Sequence, residues 1–319
     1  MMNDIFGIDN VFRAWRKFRL GKSRKYEVQE FERHLEDNLF DIAKDLHSGT
    51  YRHGRYWHFS VHDGKHRNIF KASVRDRVVH QLVYDYVRVL YIPLFISDSY
   101  ASQIGKGSHA GVCALARHIR MCGEGKRAVY ALRLDVKKYF ESVDIDILIT
   151  LVRRQCADAC VFAVIKEIVA SFSRAGQKGI PLGNVTSQIF ANMYLYELDM
   201  FAKKELGMRW YIRYNDDVVI CDTNPERLQE MRDTIVEFCI SHLRLEIPLK
   251  KTSIRKASWG IPFLGYIVLP DCVLLGKKSK QKMFMRARRK NISSYVGILK
   301  HCASFHLRNR LLSGLYSVE

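Results

Sequence analysis

The chain has 319 residues, of which 52 are lysine or arginine and 33 are aspartate or glutamate, giving a formal net charge of +19. Hydrophobic residues make up 48% and charged residues 27% of the sequence, which is typical of a folded globular protein and excludes wholesale disorder. A positive surplus of this size favours a polyanionic partner, because each neutralised phosphate releases counterions.

Membrane binding is the competing explanation of the positive charge. No apolar run approaches the roughly 18–20 residues of a membrane span, and neither a strongly amphipathic basic helix nor a lipidation signal is evident. The opening MMNDIFGIDN lacks the regions of a secretory signal. Eight cysteines without a C-x-x-C pair indicate reduced, mostly buried thiols and not a zinc site. We therefore expect a cytoplasmic protein with no membrane partner.

Helices dominate the predicted elements of the first half. Residues 1–50 begin with a basic segment and continue into an amphipathic helical run over 28–46. Two strand-like segments, RYWHFSV and HRNIFKA, flank Asp63-Gly64, which is a strong hairpin signal. A helix is predicted over 75–90, and a Gly-rich polar loop over 102–111 leads into another helix.

Strands and helices alternate in the second half. The predicted elements are, in chain order, the buried strand AVYALRLDV ending at Asp135, helices over 144–173 and 185–206, the strands MRWYIRY and VVICD joined at Asn215-Asp216, a helix over 225–242, short strands through PFLGYIVL, and a basic helical tail from Lys277. This order suits an antiparallel sheet with helices packed on one face.

Three carboxylates stand at the ends of these apolar strands. Asp216 and Asp217 are adjacent at a hairpin tip, where they repel each other unless positive charge lies nearby. Asp135 ends another strand. An ordinary Asn-Asp surface turn is the simpler interpretation of the tip alone. Gathered together, the three would offer the hard oxygen ligands that Mg²⁺ prefers, and two such ions, or Mn²⁺ in their place, could drive an in-line displacement.

Two of these segments resemble motifs of reverse transcriptases. Tyr214-Asn215-Asp216-Asp217 resembles their Y-x-D-D motif, and LDVKKYFESVD, which contains Asp135, resembles their first catalytic motif. The resemblance implies an RNA-directed DNA polymerase with a right-hand fold of the α+β class, in which the palm is an antiparallel sheet covered by helices. It also implies that Asp135 and Asp216 are the main ligands of the metal ions, with Asp217 as the third carboxylate, and that the partners are an RNA template, a DNA or RNA primer and dNTPs.

The same resemblance assigns residues to the incoming nucleotide. The stretch KHRNIFKASVRDRVVHQ is similar to the fingers motif, in which basic residues grip the triphosphate, and this role would fall to Arg67 and less firmly to Lys65. Phe140, five residues after the first Asp, corresponds to the side chain that excludes ribonucleotides, although an ordinary core phenylalanine is the alternative. In LEIPLKKTSI, Lys251 would protonate the leaving pyrophosphate, with Lys250 as second choice.

The segment IPLGNVTSQIFANMYLYELD narrows the resemblance to one subfamily. Most reverse transcriptases have Gln-Gly and then Ser-Pro here, whereas this chain has Leu182-Gly183 and Ser187-Gln188, as in diversity-generating retroelements. This implies error-prone cDNA synthesis from a template-repeat RNA, with mutagenesis at template adenines, and a small basic helical accessory protein. The loss of the usual amide at Leu182 is expected to loosen base selection, and Gln188 and Gly183 are assigned to the nucleotide site.

Residues near the end of the sequence are assigned to the nucleic acid. FLGYIVLP resembles the primer-grip hairpin, where Gly265 would allow the primer backbone to approach closely. The positions assigned to nucleic-acid binding are Tyr214, Gly265, Lys277, Lys278, Lys280 and Arg288. A basic helix is also compatible with a solvated face, a calmodulin-like target or a membrane surface.

The resemblance divides the chain into four segments and leaves several relatives open. We expect an N-terminal helical extension over 1–50, fingers over 51–125, a palm over 126–270 with fingers elements near 145–180, and a short helical thumb over 271–319. A retron enzyme is expected to carry N-A-x-x-H and V-T-G segments, and an intron protein to continue into a maturase region; the sequence has neither. An antiphage-defence reverse transcriptase and a non-catalytic nucleic-acid-binding relative remain open.

Overall fold

A computed structural model of the chain describes residues 4–62, 66–124 and 127–316. The helices are α1 (Ile8–Arg19), α2 (Tyr26–Glu32), α3 (Leu35–His47), α4 (Val74–Tyr91), α5 (Ser108–Cys122), α6 (Tyr139–Ser142), α7 (Ile145–Gln155), α8 (Ala159–Arg174), α9 (Val185–Met200), α10 (Pro225–Leu243), α11 (Lys277–Arg286), α12 (Ile292–Leu299) and α13 (Phe305–Tyr316). The strands are β1 (Trp57–His62), β2 (His66–Lys71), β3 (Tyr130–Asp135), β4 (Tyr211–Tyr214), β5 (Asp217–Asp222), β6 (Ser253–Lys256), β7 (Ile261–Phe263), β8 (Tyr266–Val268) and β9 (Val273–Leu275).

Contacts divide the chain into two compact units. Unit 1 comprises Met1–Phe95, Lys137–Leu198 and Cys239–Glu246, and unit 2 comprises Ile96–Val136, Asp199–Phe238 and Ile247–Glu319. Both α9 and α10 contain a unit boundary. The sequence predicts four consecutive segments, whereas each unit of the structure consists of three separate stretches of the chain.

Unit 1 is mainly helical and carries the β1–β2 hairpin. The predicted helical run over 28–46 is interrupted, because α2 ends at Glu32 and α3 begins at Leu35. Helix α4 begins where Ser73 caps it by accepting a hydrogen bond from the backbone N–H of Asp76. Strands β1 and β2 pair antiparallel from Trp57 opposite Lys71 onward. The Asp63-Gly64 tip that the sequence predicts for this hairpin lies outside the described residues.

Unit 2 contains a four-stranded antiparallel sheet in the order β4-β5-β3-β6 and a three-stranded sheet in the order β7-β8-β9. Strands β4 and β5 form the predicted hairpin around Asn215-Asp216. In β3 and β5, Leu132, Leu134, Val218 and Ile220 are buried. Alternation along a strand sends these residues to one face of the sheet.

The opposite face of the same sheet changes character along the strands. At one end, Ala131, Val219 and Cys221 belong to the hydrophobic core, which also contains Leu115 of α5. At the other end, the residues in the same alternating positions are charged: Arg133 and Asp135 on β3, and Asp217 on β5. The buried end anchors the strands, and the charged end marks the candidate site.

The length of the helices and the burial of the cysteines are two further features of the structure. None of the helices in the described ranges is both long and apolar enough to cross a membrane. All eight cysteines lie within the described residues and are free thiols, but only Cys156, Cys221 and Cys239 are buried. The prediction of mostly buried thiols is therefore wrong, because Cys113, Cys160 and Cys272 occupy exposed positions.

Candidate active site

The hairpin β4–β5 presents a carboxylate-bearing turn on a rigid base. Tyr214 pairs with Asp217 across the strands, so Asn215 and Asp216 form a two-residue turn. Asn215 adopts a positive φ of 50°, a left-handed conformation that asparagine tolerates better than most residues. Both Asp216 and Asp217 are partly buried, whereas the next three residues of β5 are fully enclosed.

The third carboxylate lies directly across the sheet from this turn. Asp135 is the register partner of Asp217, so the two side chains stand on the same face of neighbouring strands. Their side chains keep 26% and 20% of their exposure, which leaves the oxygens accessible to a ligand. Like charges placed directly opposite each other are destabilising. Positive groups are therefore needed beside them.

Arg133 and Lys251 supply this positive charge. Arg133 donates from Nε to Oδ1 of Asp217 at 2.9 Å and from Nη2 to Oδ2 at 3.0 Å, a bidentate pair. Lys251 donates from Nζ to Oδ2 of Asp135 at 3.3 Å. Sequence reasoning missed Arg133, although its position two residues before Asp135 puts it on the same strand face. Lys251 was the first choice of the two neighbouring lysines, and it is this lysine that reaches Asp135.

The donor set fits a magnesium site in its chemistry. Asp135 and Asp217 offer carboxylate oxygens at adjacent strand positions, and Mg²⁺ is usually held by one or two carboxylates together with water and substrate phosphates. Within the described residues, no three His, Cys, Asp or Glu side chains are gathered into a metal-binding group. Asp135 and Asp217, which face each other across the strands, therefore form the centre of the candidate metal site, and Asp216 lies at the neighbouring turn. A bound divalent ion would polarise phosphate oxygens and lower the pKa of a hydroxyl.

In unit 1, the β1–β2 hairpin is tied to the Leu182-Gly183 segment. The backbone N–H of Phe70 donates to the carbonyl of Leu182 at 3.0 Å, and Asn184 donates from Nδ2 to the carbonyl of Phe70 at 2.9 Å. Gly183 has a φ of 119°, and a Cβ there would lie 2.9 Å from Cγ2 of Ile69. Arg67 lies two residues before Ile69 on β2, so both side chains are on the strand face that meets Gly183. Lys65 lies outside the described residues.

Phe140 is half-buried and does not belong to the enclosed core, unlike its neighbour Tyr139. Tyr139 donates its hydroxyl to the carbonyl of Ala191 at 2.5 Å, and the carbonyl of Phe140 accepts from the N–H of Ile180 at 2.8 Å. These bonds fix the backbone of the motif while its second aromatic ring remains partly accessible. Gln188 is exposed.

The candidate primer-grip turn and the basic tail lie in unit 2. Gly265 has a φ of 86°, and its carbonyl accepts from the N–H of Gly276 at 2.9 Å, immediately before α11. The assigned basic positions on this tail are all exposed: Lys277, Lys278, Lys280 and Arg288. Arg288 also donates from Nη1 to the carbonyls of Ala287 and Met285, so it caps the end of α11. Tyr214 is half-buried beside the turn of Asn215 and Asp216.

Substituting Gly265 by alanine is expected to destabilise the chain by about 1–2 kcal/mol, because a left-handed conformation is unfavourable for residues with a Cβ. The added Cβ would also lie 2.8 Å from Oγ of Ser279 on α11. Thermal unfolding measures this effect. Gly297 in α12 is the matched control: a Cβ there meets nothing within 4 Å, so Gly297→Ala should stabilise by up to about 1 kcal/mol. Equal effects of both substitutions would contradict the assigned turn.

The assigned residues thus fall into two groups. Unit 2 holds Asp135, Asp216, Asp217, Lys251, Tyr214, Gly265 and the basic tail. Unit 1 holds Arg67, Phe140, Leu182, Gly183 and Gln188. Within unit 2, Asp135 lies opposite Asp217 and accepts a hydrogen bond from Lys251. Within unit 1, strand β2 is bonded to the Leu182-Gly183 segment.

Comparison with known proteins identifies the family. The family model described as Reverse transcriptase (RNA-dependent DNA polymerase) matches residues 60–268, well over half of the chain. Among solved structures, apo telomerase from Candida tropicalis superposes with a TM-score of 0.51 at 11% identity, covering 74% of this chain and 50% of that one. Telomerase from Candida albicans in complex with the TWJ fragment of telomeric RNA gives 0.51 at 11% identity, covering 77% and 50%. The fold is that of a right-hand polymerase.

The chain belongs to the reverse transcriptase family, whose general activity is RNA-directed DNA polymerisation. Protein YkfC of Escherichia coli (strain K12) is 23% identical over 265 residues, covering 70% of this chain and 69% of YkfC. The group II intron-encoded protein LtrA of Lactococcus lactis subsp. cremoris is 24% identical over 180 residues, covering 52% of this chain and 28% of LtrA. The chain therefore spans about two thirds of YkfC but less than a third of LtrA.

Proposed function

We propose that this chain is the reverse transcriptase of a diversity-generating retroelement, making error-prone cDNA from a template-repeat RNA with mutations at template adenines. The observation that carries the proposal is the segment Leu182-Gly183 with Ser187-Gln188, held against the strand that bears Arg67. Leu182 has no amide to offer near the nascent base pair, where most of the family has glutamine. Loosened base selection follows from that loss.

In this proposal, the chemistry is attack of a primer 3′-hydroxyl on a dNTP. Asp135 and Asp217, with Asp216 at the turn, would hold two Mg²⁺ ions, which supply charge neutralisation and hydroxyl activation. Lys251, 3.3 Å from Asp135, would deliver a proton to the leaving pyrophosphate.

Arg67 would contact the triphosphate, and Phe140 would lie under the sugar. The exposed lysines of α11 would follow the phosphates of the template–primer duplex. Tyr214 and Gly265 would contact the primer strand.

The biological setting belongs to the same proposal. We expect the enzyme to act in the cytoplasm, to diversify a target gene through its cDNA, and to work with a small basic helical accessory protein. Four segments, an extension, fingers, palm and thumb, remain our proposed division of the polymerase. An accurate reverse transcriptase of another bacterial lineage, retron-like or antiphage, is the alternative. The similarity to LtrA adds an intron-encoded enzyme as a further candidate.

The first experiment supplies the purified chain with a primed RNA template, dNTPs and Mg²⁺, and sequences the cDNA. We expect products that disappear in Asp216→Ala and that carry errors concentrated opposite adenine. Leu182→Gln, which restores the usual amide, should reduce those errors without loss of product. Accurate cDNA from the wild-type chain would support the alternative lineage, and no product even with the accessory protein and native RNA would favour a non-catalytic role.

Arg133 is expected to compete with the metal ion for Asp217. Replacing it by glutamine removes a positive charge from the carboxylates, so the Mg²⁺ concentration for half-maximal activity should fall by about 2- to 5-fold, as expected for a partly exposed ion pair. The stabilisation of the protein by Mg²⁺ in thermal unfolding should rise in parallel. Arg255→Gln, on the neighbouring strand β6, is the control. A higher Mg²⁺ requirement in Arg133→Gln would mean instead that Arg133 orients Asp217 for the ion.

A further inference from the structure

A fully buried ion pair lies next to the catalytic turn in unit 2. Arg213 of β4 and Asp199 at the end of α9 both have no solvent exposure. The guanidinium donates from Nε to Oδ1 of Asp199 at 2.6 Å and from Nη2 to Oδ2 at 2.5 Å. Tyr211 donates its hydroxyl to the same Oδ1 at 2.7 Å. The carboxylate is thus held by three donors in a single orientation.

The remaining end of the guanidinium reaches the turn. Arg213 donates from Nη1 to the carbonyl of Asn215 at 3.1 Å. Asn215 is the residue with the positive φ, and its carbonyl begins the peptide that leads into Asp216. The contact therefore fixes the orientation of the peptide plane immediately before a proposed metal ligand.

The backbone of Arg213 is anchored as firmly as its side chain. Its N–H donates to the carbonyl of Asp98 at 2.9 Å, and its carbonyl accepts from the N–H of Tyr100 at 3.0 Å. Burial raises the pKa of Asp98, but hydrogen bonds from His118 and Lys203 outweigh this and lower the pKa overall. The side chain of Asp98 thereby ties the segment 98–100 to His118 of α5 and to Lys203, while the backbone of the segment pairs with Arg213 of β4.

Stability alone does not explain such a pair. Removing two charges from water is costly, and well-packed apolar residues of similar volume are often as stable or more so. The pair instead fixes the positions of its partners, because the N–H groups of a planar guanidinium donate in set directions. We infer that Arg213 and Asp199 are positioning residues that lock the turn at Asn215 so that Asp216 faces the metal site; this inference rests on the proposed function.

The test separates positioning from stability with two variants and one control. Asp199→Leu with Arg213→Met and Tyr211→Phe removes both charges together with the buried hydroxyl that donates to Asp199, and should keep the unfolding temperature near that of the wild type. Arg213→Lys keeps the charge but lacks the fork that reaches both Asp199 and the Asn215 carbonyl. Leu228→Ala, at a fully buried position of α10 in the same unit, is a control for simple loss of packing.

We measure kcat, the KM for dNTP, the affinity for a primed template, and Mn²⁺ binding by calorimetry. Both Arg213 variants should lose about tenfold or more in kcat, with KM and template affinity little changed, and should bind Mn²⁺ more weakly. Leu228→Ala should be less stable but keep its kcat and Mn²⁺ affinity. Folded Arg213 variants with unchanged kcat and Mn²⁺ affinity would overturn the inference. If the wild type extends no primer, the proposed function fails, and Mn²⁺ binding alone then decides the positioning role.

Discussion

Replacing Asp217 by asparagine is expected to reduce primer extension by at least about 10³-fold, since loss of metal-ligand charge removes several kcal/mol of transition-state stabilisation. The amide is almost isosteric with the carboxylate and can still accept one hydrogen bond from Arg133. It also relieves the repulsion between the cross-strand partners Asp135 and Asp217. The unfolding temperature should therefore change by no more than about 3 °C.

Steady-state primer extension and thermal unfolding together measure this prediction. Asp222→Asn is the matched control, because Asp222 ends the same strand β5 at its other side, opposite Tyr130. The control should retain its activity. Substantial activity in Asp217→Asn at saturating Mg²⁺ would mean that Asp135 and Asp216 suffice, and that Asp217 serves mainly as the partner of Arg133.

The sequence predicts the elements of the β4–β5 hairpin well because its signals are local. Apolar strands on both sides of Asn215-Asp216 require a two-residue turn, and the structure has it. The register between β3 and β5 is a different matter. Asp135 lies opposite Asp217, although 82 positions and several helices separate the two residues in the sequence. This pairing depends on the tertiary structure, and no local sequence pattern specifies it. The family resemblance implies that the three carboxylates share a metal site, but it does not specify this register.

Charged partners within the sheet were harder to predict than the carboxylates. Arg133 and Arg213 look like ordinary strand arginines in the sequence, and only the structure reveals that one pairs with Asp217 and the other is fully enclosed. A buried arginine contradicts the expectation that charged residues lie outside. The sequence also does not predict the break between α2 and α3. The helical periodicity of apolar residues continues across Arg33 and His34, whereas the helical backbone is interrupted there.

Replacing Phe140 by alanine is expected to raise the use of ribonucleotides relative to deoxynucleotides by about 10²-fold, the discrimination that a shaped pocket can achieve on a small group. The ring is half-buried, whereas the ring of Tyr139 is enclosed, so its loss should open space without collapsing the core. The backbone stays fixed, because the carbonyl of Phe140 still accepts from the N–H of Ile180. The change should therefore fall on sugar selection and leave dNTP turnover nearly intact.

Competition between one ribonucleotide and its deoxy counterpart, read as the ratio of kcat/KM values, measures the change. Phe40→Ala, an exposed phenylalanine of α3 in the same unit, is the control and should leave the ratio unaltered. A Phe140→Ala variant that loses stability and all turnover together would identify Phe140 as a packing residue. An active variant with unchanged sugar preference would remove Phe140 from the nucleotide site, and discrimination would then have to come from the strand that carries Arg67 or from the Gly183 turn held against it.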